Sequence, residues 1–131
     1  MIDHVGLSVG SLDAAAAFYA SAFGFEREFA FELPQGIRGL MLLHPLGSRL
    51  ELFEHPESAA GLQGAVPLEA LGTRGYGHFA WAAPDIRAAY EQALLAGATS
   101  VAEPGSSPEP GVLFAFLADP EGNLIELLQR P

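Results

Sequence analysis

The sequence predicts an α+β fold of two tandem βαβββ modules, and three observations lead to that prediction. A chain of 131 residues that is 50% hydrophobic can bury the core of one ordinary domain. The segment from Leu43 to Phe53 is repeated 75 residues later, from Ala118 to Leu128. Each copy is preceded by an alternating strand pattern and an amphipathic helical pattern. We expect one domain over residues 1–131, with module 1 at about 1–57, a connector at 58–74 and module 2 at about 75–131.

The repeat is exact at several positions that carry either turns or charge. Near the N-terminus the offset is 74 residues, and one inserted residue accounts for the change to 75 later in the module. The matching pairs are His4 with His78, Pro45 with Pro120, Gly47 with Gly122, Glu51 with Glu126 and Leu52 with Leu127.

Each module is expected to contain one helix between its first and second strands. The first helix has Ser11 as its N-cap and Gly24 as its stop, and the second begins at Pro84-Asp85 and stops at Gly97. We expect both helices on the outer face of a cupped mixed sheet, and one further helical turn in the connector at 67–71. The predicted strands are Ile2–Val9, Phe25–Phe31, Ile37–His44, Arg49–Glu54, Gly77–Ala83, Ser100–Ala102, Val112–Leu117 and Asn123–Gln129.

Side chains alternate between the two faces of a strand, so spacing predicts which residues share a surface. In module 1 the apolar side receives the helix, which leaves His4 on the opposite face. Leu50 and Leu52 flank Glu51, which therefore points to the same face as His4. Module 2 repeats this arrangement with His78 and Glu126, and two modules packed side by side would bring the four side chains together.

Two imidazoles and two carboxylates suit one divalent first-row metal such as Ni, Co, Mn, Fe or Zn. Each residue alone has a simpler explanation, since a strand His or a Glu between leucines is commonly a solvated side chain. The joint placement at matching repeat positions favours the metal. Four protein ligands leave two positions for oxygens of a substrate, and a ligand Glu that leaves the metal can act as a base.

Small or apolar residues on the metal face predict a modest, partly apolar substrate that chelates through two oxygens. The Pro/Gly/Ser stretch at 103–111 is a candidate lid. His44 and His55 lack a His counterpart in module 2 and are interpreted as surface residues, and Glu54 and Glu57 as a solvated strand end. The candidate substrate-binding residues are Gly6, Ser8, Phe53, Tyr76, Ala80 and Leu128.

Composition excludes several other classes of function. The net charge is −10, from 16 acidic and 6 basic residues, so nucleic acid and anionic membrane surfaces are not expected partners. The chain has no Cys, which excludes disulfides, thiolate metal sites and Cys nucleophiles. The N-terminal stretch has no basic region followed by a cleavage site, so a cytoplasmic location is expected. The expected partner is a small-molecule substrate, as the residues on the metal face indicate.

The whole chain resembles the vicinal oxygen chelate superfamily, which includes glyoxalase I, methylmalonyl-CoA epimerase, extradiol dioxygenases and bleomycin resistance proteins. The resemblance implies a metal-dependent lyase or isomerase closest to glyoxalase I, with Glu126 as ligand and proton-shuttling base and Glu51 opposite it. A homodimer is expected, and the modules can pair within one chain or across the dimer. The landmarks are residues 2–5, Phe18-Tyr19, Phe23-Gly24-Phe25, Leu50-Glu51-Leu52, residues 75–78 and the segment 119–127.

Three departures leave the substrate open. Ser8 stands where glyoxalase I usually has an Arg for the glutathione carboxylate, and His55 stands where it usually has an Asn. Pro34 occupies the place of an additional acid in the epimerase. The alternatives are an Fe(II) extradiol-type dioxygenase, for which Tyr76 is the candidate additional Tyr, and a non-catalytic small-molecule binding protein of the drug-resistance type.

Overall fold

The computed structural model describes residues 1–61 and 67–131, whose helices and strands follow the order expected of a repeated module. They form two compact units, Met1–Ala60 and Gly61–Pro131, which divide inside the predicted connector. The elements are β1 His4–Ser8, α1 Leu12–Phe23, β2 Glu26–Leu33, β3 Ile37–Leu43, β4 Arg49–Glu54, α2 Pro67–Ala70, β5 His78–Ala82, α3 Ile86–Leu95, β6 Thr99–Ser106, β7 Leu113–Ala118 and β8 Leu124–Gln129.

Each unit contains one four-stranded mixed sheet with a helix packed against it. In unit 1 the strand order is β1-β4-β3-β2, with β1 parallel to β4 and the remaining pairs antiparallel. In unit 2 the order is β5-β8-β7-β6, with the same pattern of directions. Helix α1 packs on β2, β3 and β4, and α3 packs on β6, β7 and β8. The predicted α+β class with two βαβββ modules is confirmed.

The boundaries of α1 follow from its two ends. The Ser11 hydroxyl accepts a hydrogen bond from the Ala14 backbone N–H at 3.2 Å, which satisfies one free donor of the first turn. Gly24 ends the helix in the left-handed conformation with φ 74°, which a residue without Cβ adopts at least cost. The predicted cap and stop are both confirmed. The face that packs on the sheet is buried at Leu12, Ala15, Ala16, Tyr19 and Phe23.

Helix α3 is capped in a related way. The Asp85 carboxylate accepts hydrogen bonds from the backbone N–H groups of Arg87 and Ala88, both at 3.0 Å. Ile86 and Tyr90 are buried against the sheet, whereas Leu94 in the last turn is 37% exposed.

Strand β6 is longer than the sequence predicts. It runs Thr99–Ser106 instead of 100–102, with two irregularities in its pairing to β7. The first part of the candidate lid at 103–111 is therefore strand. The rest is a turn closed by a hydrogen bond from the Ser107 N–H to the Val112 carbonyl at 2.9 Å.

The connector is described only in part. The helical turn expected at 67–71 is confirmed by α2, and residues 62–66 lie outside the described part of the chain. Over the two described ranges, no helix combines the length and the apolar character needed to cross a membrane.

Candidate metal centre

Strand alternation places one His and one Glu on the same face of each sheet. In unit 1, Leu50 and Leu52 are 3% and 0% exposed under α1, and Glu51 between them points to the other face. The parallel register sets Gly6 opposite Glu51, so His4, two residues earlier on β1, shares that face. The face assignment predicted from the sequence is confirmed.

The two side chains approach each other closely in both units. His4 Nε2 lies 3.2 Å from Glu51 Oε2, and the side chains are 36% and 22% exposed. His78 Nε2 lies 3.1 Å from Glu126 Oε2, with 36% and 20% exposure. The two histidines are 74 residues apart in the chain and the two glutamates are 75 apart. Each unit therefore contains the same partly exposed His–Glu pair.

In each pair the His nitrogen and the Glu oxygen are close enough to bind the same metal ion. Two donor atoms that each lie about 2.1 Å from one ion, at a right angle, are roughly 3.0 Å apart. Both observed separations are close to that value, although each also fits an ordinary hydrogen bond. Neither described unit by itself gathers three or more His, Asp or Glu side chains into a metal-binding group. Each unit therefore offers two of the four predicted ligands.

Asp3 adds a neighbour to the first pair that the sequence did not suggest. Its Oδ2 lies 2.9 Å from His4 Nδ1, the ring nitrogen that faces away from Glu51. This hydrogen bond raises the pKa of His4, and the negative charge of Glu51 acts in the same direction while desolvation opposes them. The same bond lowers the pKa of Asp3.

The second pair has an aromatic neighbour instead. The Phe116 ring meets the His78 ring edge to face, with centroids 5.1 Å apart at 85°. Phe116 stands opposite Glu126 on β7, is buried, and contacts Phe114 at 6.0 Å. Neither ring was predicted to lie at the site from the sequence. Phe116 matches Met41 in the repeat, but only the strand pairing places each of them opposite the Glu of its unit.

Predicted substrate-binding residues of unit 1 lie beside Glu51. A Cβ added at Gly6 would be 3.9 Å from Glu51 Oε2 and 4.0 Å from the Phe53 ring. Phe53 meets the Phe31 ring edge to face at 5.9 Å, and Ser8 stands opposite Phe53 in the sheet. An aromatic wall therefore borders the His4–Glu51 pair.

In unit 2, Ala80 stands opposite Glu126, and Leu128 stands opposite Ala82 and Phe114. The register therefore places Ala80 beside Glu126 in the sheet. Tyr76 precedes β5 and is 70% exposed, outside the sheet that carries the other predicted residues.

Glu54 is not the solvated strand end that the sequence suggested. Its carboxylate accepts a hydrogen bond from the Leu12 N–H at 2.8 Å and forms an ion pair with Arg38. Gln129, at the matching position of unit 2, accepts a hydrogen bond from the Ile86 N–H at 2.8 Å. Both side chains satisfy the first amide of a helix.

His44 and His55 are partly exposed residues at turns, in agreement with their interpretation as surface residues. His44 Nδ1 accepts from the Leu46 N–H at 3.1 Å, and its ring contacts Phe25 at 5.5 Å. His55 Nδ1 accepts from the Glu57 N–H at 3.0 Å. Both imidazoles therefore have structural roles in turns.

A cleft of about 350 Å³ lies on the helix side of unit 1, between the start of α1 and strands β2 and β3. Its arginines are neutralised locally, because Arg27 pairs with Asp13 at 2.6 Å and Arg38 pairs with Glu54. The cleft is on the face opposite His4 and Glu51, so it is separate from the candidate centre.

Comparison with known proteins assigns the family. A lactoylglutathione lyase of Arabidopsis thaliana is 30% identical over 97% of this chain, which spans 43% of that protein. A lactoylglutathione lyase of Haemophilus influenzae is 30% identical over 97% of this chain and 90% of its own length. The crystal structure of glyoxalase I from Zea mays superposes with a TM-score of 0.78 at 25% identity, covering 98% of this chain and 44% of that one. Residues 1–127 match the Glyoxalase/Bleomycin resistance protein/Dioxygenase superfamily, and the chain therefore belongs to that superfamily.

Proposed function

We propose that this protein is a metal-dependent lyase or isomerase of the glyoxalase type. Its substrate would be a small molecule bound through two neighbouring oxygens, on which a proton is transferred next to a carbonyl. The observation that carries the proposal is the repeated His–Glu pair, with nitrogen-to-oxygen separations of 3.2 and 3.1 Å at matching positions. One divalent ion per site, Ni, Co, Zn, Mn or Fe, would be held by His4, Glu51, His78 and Glu126.

The proposal needs both pairs around one ion, because each unit supplies only two of the ligands. This pairing can occur within one chain or across a homodimer, and a homodimer is the assembly we propose. A divalent ion held in this way would polarise the substrate carbonyl and accept the negative charge that develops on its oxygen.

The unequal roles of the two carboxylates are those that the resemblance to glyoxalase I implies. Glu126 would take the proton from one substrate carbon and return it to the neighbouring carbon, so the substrate is isomerised without gain or loss of atoms. Glu51 would hold the opposite side of the centre. The apolar residues beside Glu51, above all Phe53, would keep water from the reacting atoms.

The curated relatives support the class of reaction more strongly than they support glutathione as a part of the substrate. They are lactoylglutathione lyases, and the proposal takes from them a lyase acting on an α-carbonyl compound. In unit 1, Arg49 stands opposite His4 in the sheet, and its guanidinium is already paired with Glu28 at 2.8 Å. We therefore propose a less anionic substrate than a glutathione adduct.

The test is proton exchange at the substrate carbon in D₂O, followed by NMR with a panel of α-hydroxycarbonyls and thiol adducts of α-ketoaldehydes. Glu126→Gln should lower turnover by about 10²–10⁴, the usual contribution of a general base. Glu51→Gln should lower it less, and Glu57→Gln, on an exposed residue, should leave it unchanged.

Metal content is measured for each variant, so that loss of the ion is separated from loss of the base. Turnover that survives Glu126→Gln with metal bound, or that requires molecular oxygen, would overturn the proposed mechanism. The second result would favour the dioxygenase alternative.

A further inference from the structure

The two candidate metal-binding histidines occupy the same repeat position, but they are supported differently. His4 Nδ1 lies 2.9 Å from the Asp3 carboxylate while Nε2 faces Glu51. His78 Nε2 faces Glu126 in the same way, but the residue before it is Gly77, which has no side chain to accept a hydrogen bond. The ring of His78 is instead held by contact with the Phe116 ring.

A carboxylate behind a histidine changes how well that histidine binds a metal. When Nδ1–H donates to an acceptor, the proton is kept on that nitrogen and the lone pair is kept on Nε2. The bond also fixes the ring orientation and makes Nε2 a stronger donor. Packing against an aromatic ring restricts orientation but places no proton, so His78 lacks the electronic part of this support.

Space does not explain the missing carboxylate in unit 2. A Cβ added at Gly77 would have no heavy atom within 4 Å, and the backbone there is not in the left-handed region. An Asp at position 77 would therefore fit where Asp3 fits in unit 1. The carboxylate can therefore be removed from unit 1 and introduced into unit 2, and the effect of each change can be measured.

We infer that Asp3 is a positioning residue for the metal, acting through His4, and that the His4–Glu51 half of the centre binds the ion more firmly than the His78–Glu126 half. The inference rests on the proposed function, because it presumes that the pairs ligate one ion. It also gives a physical reason why Glu126 and Glu51 would have different roles. Glu126 belongs to the half that releases the ion more readily.

The charge of Asp3 could act without any hydrogen bond, so the experiment must separate the two effects. Asp3 is largely exposed, and its charge lies near that of Arg49, which stands opposite His4 in the sheet. A simple charge effect at such a position is screened by salt, whereas the orientation of His4 by a hydrogen bond is not.

The test measures zinc affinity of the full chain by chelator competition at low and high salt. Asp3→Asn should weaken binding about 10–100-fold, the usual effect of losing such a partner, and the loss should persist at high salt. Asp13→Asn, which removes the same charge from the Arg27 ion pair, should leave the affinity unchanged. Adding Gly77→Asp to Asp3→Asn should restore most of the loss.

A spectroscopic readout reports on the hydrogen bond itself. In the zinc-loaded protein the His4 Nδ1–H proton should resonate at low field, shift in Asp3→Asn and remain in place in Asp13→Asn. An Asp3→Asn variant with wild-type affinity, a loss that vanishes at high salt, or a double variant as weak as Asp3→Asn would overturn the inference. Wild-type protein that binds no zinc would overturn the proposed function as well.

Discussion

At residue 39 the absence of a side chain lets an aromatic ring lie over the sheet. The Phe31 ring covers Gly39, its cross-strand partner on β3, and a Cβ built at Gly39 would be 2.2 Å from that ring. Phe31 in turn contacts Phe53, which borders the His4–Glu51 pair. One glycine therefore sets the position of the aromatic wall beside the candidate centre.

Gly39→Ala should destabilise the protein, because the Phe31 ring must leave its place or the strands must separate. Overpacking of this kind typically costs about 1–3 kcal/mol. Gly77→Ala is the matched control, since its Cβ meets open space and its effect should stay within about 0.5 kcal/mol. Urea unfolding measures both, and equal stabilities for the two variants would contradict this role of Gly39.

Single residues differ in how far the sequence could reveal them. His4 and Glu51 were predictable because alternation and the repeat fix both their face and their equivalents in unit 2. Asp3 was not, because whether its carboxylate turns back onto His4 depends on side-chain torsions that carry no periodic signal. Phe116 depends on strand pairing, which becomes visible only when β7 is in register with β8.

The start of each long helix is tied to the end of the last strand of its own unit. Glu54 at the end of β4 accepts from the first amide of α1, and Gln129 at the end of β8 accepts from the first amide of α3. Both units thus use a side-chain oxygen as the acceptor. It belongs to a charged carboxylate in Glu54 and to a neutral amide in Gln129. Only Glu54 adds an ion pair, to Arg38.

This difference predicts a pH-dependent contribution from Glu54. The hydrogen bond from Arg38, and then the backbone bond from Leu12, lower the pKa of Glu54 below the ordinary value of a Glu side chain. Because the folded pKa is below the unfolded one, the charged carboxylate stabilises the fold above that range. Its contribution is lost as the pH falls through the folded pKa.

Glu54→Gln should therefore be less stable than wild type near neutral pH, and the difference should shrink at about pH 3, below the usual carboxyl range. Gln129→Ala should cost roughly 0.5–1.5 kcal/mol from the lost hydrogen bond, with no comparable pH dependence, since Gln does not titrate. Urea unfolding at both pH values provides the comparison. A Glu54→Gln difference that is equal at the two pH values would show that the ion pair does not contribute.

Elements with strong local signals were predicted well, and those set by tertiary pairing were not. Ser11, Gly24 and Asp85 marked helix ends because caps and left-handed turns favour particular residues. Strand β6 was predicted too short, because Pro104 and Gly105 suggest a loop. Pairing with β7, where Gly105 lies opposite Phe114, keeps this stretch extended.

For the whole molecule, the repeat was the most informative feature of the sequence. It predicted two units of equal topology, and the described residues confirm both sheets and both helices. It also predicted a His–Glu pair in each, and both pairs form. The two ligands of one unit are too few for a metal site. We therefore propose that both pairs bind a single ion.

Calorimetric titration of the metal-free full chain with Ni²⁺ or Co²⁺ tests that proposal most directly. A shared centre should bind about one ion per chain in wild type, and binding should be strongly reduced in both His4→Ala and His78→Ala while the fold is retained. Loss from either variant is expected because the two units would contribute ligands to the same ion. Wild-type protein that binds no ion, or two independent ions per chain of which each variant removes one, would contradict a shared centre.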